Sequence, residues 1–187
     1  MRKLLSIKKS FALFALTLAI ALASQSVPTV SRAYVYNGYH WPSYPVSVDV
    51  SDASLPFSWI SPISSAMSAW NGASSPFYFN SGQSGHKMLT ANKGANNTPG
   101  ITRTDATGYN ITDNDTTFNT YYSWATNGDP YSYDIQSVAT HELGHWLNLA
   151  DKDSGYYDTM YGGVSTGETW KRTLESDDLA GINYIYP

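Results

Sequence analysis

The stretch HELGHWLNLAD, residues 141–151, decides how this chain folds and what its side chains can hold. His141 and His145 are four apart, so on an α-helix they share one face, one turn apart. Two imidazoles so placed can bind one cation together, and Glu142 beside them can reach a water on that cation. Zinc lowers the pKa of such a water, and a neighbouring carboxylate takes its proton during attack on a carbonyl. A zinc of that kind wants three protein ligands and one open position. Asp151, six residues past His145, meets that need only if the helix stops and the chain turns back. Asn148 is the natural hinge, since after glycine asparagine is among the residues that best tolerate the left-handed conformation. A solvated loop role is the alternative for Asp151. Asp153, Asp158, Glu168 and Glu175 are competing carboxylates downstream.

Working outward, Ile135, Val138, Ala139, Leu143, Trp146 and Leu147 give the motif a buried helical side, with the helix starting near Asp134 or Ile135. SPISSAMSAWNG, residues 61–72, reads as an earlier helix. Ser61 can cap it and Pro62 suits its first position. Ile63, Ala66, Met67 and Trp70 form one stripe, and Asn71-Gly72 ends it. A last helix spans about Ser176 to Tyr186, with Leu179, Ile182 and Tyr186 on one face. Strands are expected at Val46–Val50, after Pro76, at Lys87–Thr90, Ile101–Thr104 and Thr116–Tyr122. Residues 81–100 otherwise read as loop, and TNGDP, residues 126–130, as a turn. Strands mainly first and helices later fit an α+β class better than alternating βαβ units.

The amino-terminal stretch stands apart. MRKLLSIKKS carries Arg2, Lys3, Lys8 and Lys9, an apolar run FALFALTLAIAL follows, and Ala21 and Ala23 form an A-x-A exit. This is the composition of a secretory signal peptide, and the run is short for a span of roughly 20 apolar residues. Of 187 residues, 1–26 are therefore assigned to a signal peptide, 27–45 to a short following segment and 46–187 to the folded domain. Removing the four leader cations leaves seven Lys and Arg against fifteen Asp and Glu, a net charge of −8. No basic patch points to nucleic acid. With no cysteine in an exported chain, stability must come from the core, with bound metal as an available addition.

On these residues the chain resembles the metzincin metallopeptidases, and within them the matrixins. The family pattern is H-E-x-x-H-x-x-G-x-x-H/D followed by a methionine turn. His141, Glu142, His145 and Asp151 fall on its functional positions, and DTMYGG, residues 158–163, looks like the turn, with Met160 as its methionine. LESDDLAGINYIYP, residues 174–187, resembles the closing helix, and residues 61–79 the first helix and next strand. The departures are Asn148 for the usual glycine, a strain of about 1 kcal/mol at the hinge, and Asp151 for the commoner histidine, as in the snapalysin-like members. Glu175 stands where the family has a capping Ser or Thr. There is no cysteine for a cysteine switch, and the segment before Val46 is too short for a prodomain.

The resemblance implies a zincin fold: a twisted, antiparallel-edged sheet with two helices, then a small C-terminal subdomain ending in a helix. The cleft would lie between 46–148 and 149–187. It implies a secreted, monomeric zinc endopeptidase acting on protein or peptide substrates, free of the membrane once the leader is cut. His141, His145 and Asp151 would hold one catalytic Zn2+, and Glu142 would be the base. Met160 would form an apolar floor, Tyr161 to Val164 would line the pocket beyond the cut bond, and the strand Asn114–Tyr121 would pair with substrate. The family's structural zinc uses further histidines, and only His40 and His86 remain. Ca2+ would have to use acids such as Asp105, Asp113, Asp115 or Asp129, each equally at home as a solvated loop acid. The rival readings are a zincin with Glu168 or Glu175 as third ligand, and a secreted binding module whose many aromatic residues stack on carbohydrate. Expressed in a secreting host, the chain is expected to be cut between Ala23 and Ser26, or as late as Ala33. N-terminal sequencing of the exported protein checks this, and an intact Met1 on exported protein would refute it.

Overall fold

The structure, a computed structural model, describes residues 34–187. The signal-peptide expectation for residues 1–26 lies outside the described residues. Strand β1 (Val35–Tyr36) is followed by β2 (Val46–Val48), a 3-10 turn Phe57–Trp59 and helix α1 (Ile60–Asn71). Next come β3 (Phe79–Ser81), β4 (Met88–Ala91), β5 (Gly100–Thr107), β6 (Asn110–Asn119), β7 (Trp124–Ala125) and β8 (Tyr133–Asp134). Helix α2 (Ile135–Trp146), β9 (Leu149–Ala150), a 3-10 turn Trp170–Arg172 and α3 (Ser176–Ile185) complete the chain.

β2 pairs with β3 in parallel, β4 with β6 in parallel, and β5 runs antiparallel to β6. An isolated parallel bridge between Asp49 and Lys87 joins the two ladders. The strand order is thus β3-β2-β4-β6-β5, with an antiparallel edge as expected. The edge itself is a correction. The strand expected to meet substrate, Asn114–Tyr121, falls within and just beyond β6, which is paired on both sides. β5 is the outer strand. The sequence hid this because β6 reads as polar, yet it buries Asn114 and Thr116 beside Phe118. Those two polar groups face Trp146. Thr116 Oγ1 accepts from its indole at 2.8 Å, and the Asn114 carboxamide donates to its carbonyl at 3.3 Å.

α1 starts earlier than its caps suggested. The 3-10 turn runs into it, Ile60 is its first residue, and no side chain caps it. Ser61 is therefore no cap, and Pro62 lies in the first turn, where a missing N–H is harmless. The predicted stripe is buried as Ile63, Ala66, Met67 and Trp70, and Gly72 ends the helix in a right-handed conformation. Asn71 clamps the next strand, accepting from Phe79 N at 2.7 Å and donating to Phe79 O at 2.8 Å. α1 packs on α2, and the Trp70 indole donates to Thr140 O at 2.8 Å.

Residues 34–45, expected as a segment ahead of the domain, are built into it. β1 pairs with β9, and the buried Trp41 donates its indole N–H to Trp146 O at 2.7 Å. No helix among the described residues is long and apolar enough to cross a membrane.

The α2 backbone comes closest to its neighbours at Gly144. A Cβ there would lie 2.1 Å from Met160 Sδ and 3.0 Å from the Trp70 ring. Gly144→Ala is expected to destabilise the protein by about 1–3 kcal/mol through overpacking. A lowered urea midpoint at unchanged slope checks this, and an unchanged midpoint would contradict the packing described.

Candidate metal centre and active site

α2 carries His141, Glu142 and His145, and its start is firmly held. Asp134 caps it, accepting from Ser137 N at 2.9 Å. Arg172 grips the same buried carboxylate through Nε (2.9 Å) and Nη2 (2.5 Å), and this pairing raises the guanidinium pKa further. At the other end, Leu147 N closes on Leu143 O and Gly144 O. Asn148 then takes φ 69°, the left-handed turn the sequence required. Its carboxamide accepts from Tyr39 N at 2.8 Å, and its carbonyl accepts from Asn37 N at 3.1 Å. β9 follows, pairs with β1, and delivers Asp151 back to the histidines.

Asp151 Oδ1 lies 3.2 Å from His141 Nε2 and 3.5 Å from His145 Nε2. All three ligand atoms lie within 4.8 Å of one another, the one such cluster among the described residues. His141 Nδ1 contacts Thr159 O at 2.7 Å and His145 Nδ1 contacts Leu149 O at 2.8 Å. A carbonyl can only accept, so each Nδ1 carries a hydrogen, and a neutral ring so held turns its Nε2 lone pair inward. Burial first, and then His141 beside it, hold His145 below the ordinary imidazole value.

Two lone pairs and a carboxylate oxygen therefore face a common point, which suits a cation. Bonds of about 2.0–2.1 Å at tetrahedral angles imply ligand separations of about 3.3 Å, close to the two observed. Two imidazoles and one carboxylate favour zinc over calcium, which prefers an all-oxygen shell. The residues present thus fit Zn2+.

Glu142 is buried, and its Oε2 accepts from Thr102 Oγ1 at 2.7 Å. Its Oε1 sits over Gly100, where a Cβ would approach to 2.2 Å, so only glycine fits there. Met160 is buried under α2 against Gly144. Asp178 holds the turn that carries it, accepting from Thr159 N, Met160 N and Glu175 N at 2.9, 3.2 and 2.9 Å. Glu175 itself caps α3 in a reciprocal box with Asp178.

These side chains open on a cleft of about 610 Å³ lined by β5, α2 and the segment after Met160. Gly162 and Val164 line it, whereas Tyr161 does not. The Tyr161 ring packs against Tyr156, and its carbonyl accepts from Lys171. Lys171 is buried, also donates to Gly163 O at 2.6 Å, and is held below its usual pKa by that burial. The other candidate acids are engaged elsewhere. Asp158 pairs with Lys152, Glu168 accepts from Ser165 N, and Asp153 is exposed. Asp105 meets Arg103, Asp113 meets His86, and Asp115 and Asp129 accept backbone N–H groups. Sequence reasoning missed Thr102, Gly100, Asp178 and Lys171. The TPG of residues 98–100 reads as a plain turn, and Thr102, Asp178 and Lys171 reach the site through partners eight or more residues away.

The profile of the matrixin family matches residues 59–187. A relative, Metalloendoproteinase 2-MMP of Arabidopsis thaliana, is 38% identical over 71 residues, 34% of this chain. The matched part is 18% of that relative's length.

The hinge generates a test. Asn148→Gly removes left-handed strain but also one hydrogen bond, terms of about 1 kcal/mol each, and should leave stability nearly unchanged. Asn148→Ala keeps the strain and loses the bond, and should fall about 1–2 kcal/mol below Asn148→Gly. Urea unfolding of the metal-free pair measures this, and equal midpoints would contradict it.

Proposed function

Because the chain belongs to the matrixin family, a family of metallopeptidases, we propose that it is a zinc-dependent endopeptidase hydrolysing internal bonds of extended peptides outside the cell. The observation that carries the proposal is the convergence of His141 Nε2, His145 Nε2 and Asp151 Oδ1 beside the buried carboxylate of Glu142. Export is supported by the basic start and short apolar run of the leader.

His141, His145 and Asp151 would hold the ion, which when bound would polarise a water and the substrate carbonyl. Glu142 takes a proton at Oε1, the oxygen not engaged by Thr102, and passes it to the leaving amine. Met160 and Gly144 keep the floor of the site dry and closely packed. The outer side of β5 offers backbone groups to an extended peptide, and the segment 162–164 forms the facing wall. Pairing through the main chain accepts many sequences, which suits loose specificity. A module that only binds would have no use for Glu142, a buried carboxylate held beside the ligand cluster.

Zinc-loaded protein should cleave unfolded casein, lose activity to a chelator and regain it with zinc. Glu142→Ala should keep fold and zinc while losing activity about a hundredfold to ten-thousandfold. Casein cleaved by Glu142→Ala at the parental rate would sink the assignment of the base. Metal analysis should find zinc lost from His145→Ala and Asp151→Ala and retained by Glu168→Ala. Loss from Glu168→Ala with retention by Asp151→Ala would move the third ligand.

A further inference from the structure

We propose that Thr102 is a positioning residue for Glu142, the last donor in a one-way chain of hydrogen bonds running Trp146 to Thr116 to Thr102 to Glu142. The inference rests on the hydrolytic reading of Glu142 and deepens it, because the chain decides which carboxylate oxygen is left to take a proton.

The direction follows from the two ends. The Trp146 Nε1–H can only donate, and it meets Thr116 Oγ1 at 2.8 Å, with both residues fully buried. In the role of base Glu142 is a carboxylate, which can only accept, and its Oε2 lies 2.7 Å from Thr102 Oγ1. Between these ends the two threonine hydroxyls are 2.7 Å apart. Thr102 gives its hydrogen to the carboxylate, so the hydrogen between the hydroxyls comes from Thr116. In that arrangement every hydrogen of the chain has an acceptor. A hydrogen bond to a charged group is the strong kind, and each donor along such a chain polarises the next.

Register puts the parts in place. Thr102 and Thr116 are direct partners across β5 and β6, and a slip of β5 by one residue would turn Thr102 to the other face, away from Thr116. Thr102 also lines the cleft, so the chain ends inside the reaction space. With Oε2 engaged and Gly100 leaving room over Oε1, the carboxylate is held in one rotation, with Oε1 beside the cleft-lining Gly100. A valine at 102 would keep the shape of threonine and remove only the donor.

In the zinc-loaded full chain, Thr102→Val is expected to lower kcat about tenfold to a hundredfold with KM changed less than about twofold. Zinc content should stay at the parental level. Thr102→Ser should recover most of the lost kcat. In the metal-free protein, the proton resonance of the Trp146 indole N–H should move in Thr102→Val and return in Thr102→Ser. Parental kcat in Thr102→Val, equal losses in the Val and Ser variants, or an indole resonance identical in parent and Thr102→Val would each overturn the proposal. If the parent itself cleaves nothing, the endopeptidase reading falls, and the indole resonance still decides the chain.

Discussion

Three acceptor atoms, Nε2 of His141, Nε2 of His145 and Oδ1 of Asp151, are brought face to face by a reversal of the chain at Asn148. Left to themselves, such atoms repel. Their approach is maintained because the backbone on either side is fixed independently. The helix before the reversal is capped by Asp134 and packed on α1, and the strand after it is paired with β1. The left-handed turn between them is held by two hydrogen bonds from the segment 37–39. Here asparagine has an advantage over glycine that partly offsets its strain, because its side chain supplies one of those two acceptors.

The orientation of the ligands is set from downstream. His145 is aimed by Leu149 O, in the strand that leads to Asp151, and His141 by Thr159 O, in the turn that carries Met160. That turn hangs on the buried Asp178, whose burial raises its pKa while its backbone donors oppose the rise. The His141–His145–Asp151 cluster is therefore coupled to α3 through one carboxylate, and to the amino-terminal strand through β9. Glu142 is governed from the opposite wall, by Gly100 and Thr102 on β5. The site lies where helix, edge strand and C-terminal segment meet, and each contributes a different element of its geometry.

Much of this was legible in the sequence. The 141–151 spacing put both imidazoles on one helix face and a reversal at Asn148 that returns Asp151 to them, and DTMYGG put Met160 in a turn that packs under α2. The stripe at residues 63–70 and the closing helix also stand where the pattern put them. The failures have separate causes. β6 was read too late in the chain and taken as the outer strand, because a run of Asp, Asn and Thr does not look like an interior strand. It is interior because Trp146, from α2, needs an acceptor and a donor inside the core, which Thr116 and Asn114 supply. α1 began before its apparent cap because a 3-10 turn ran directly into it. Tyr161 left the cleft wall because Tyr156 and Lys171 draw its ring and carbonyl away.

The sequence by itself determined which atoms could bind a cation and that the chain must turn between the second and third of them. Those facts follow from side-chain chemistry and from helix periodicity within eleven residues. Only the tertiary structure decided which strand faces the cleft, which carbonyls aim the imidazoles and which hydroxyl holds the Glu142 carboxylate. Those choices depend on strand register and on hydrogen-bond partners far apart in the chain, and local pattern cannot encode a pairing whose two halves are separated by tens of residues.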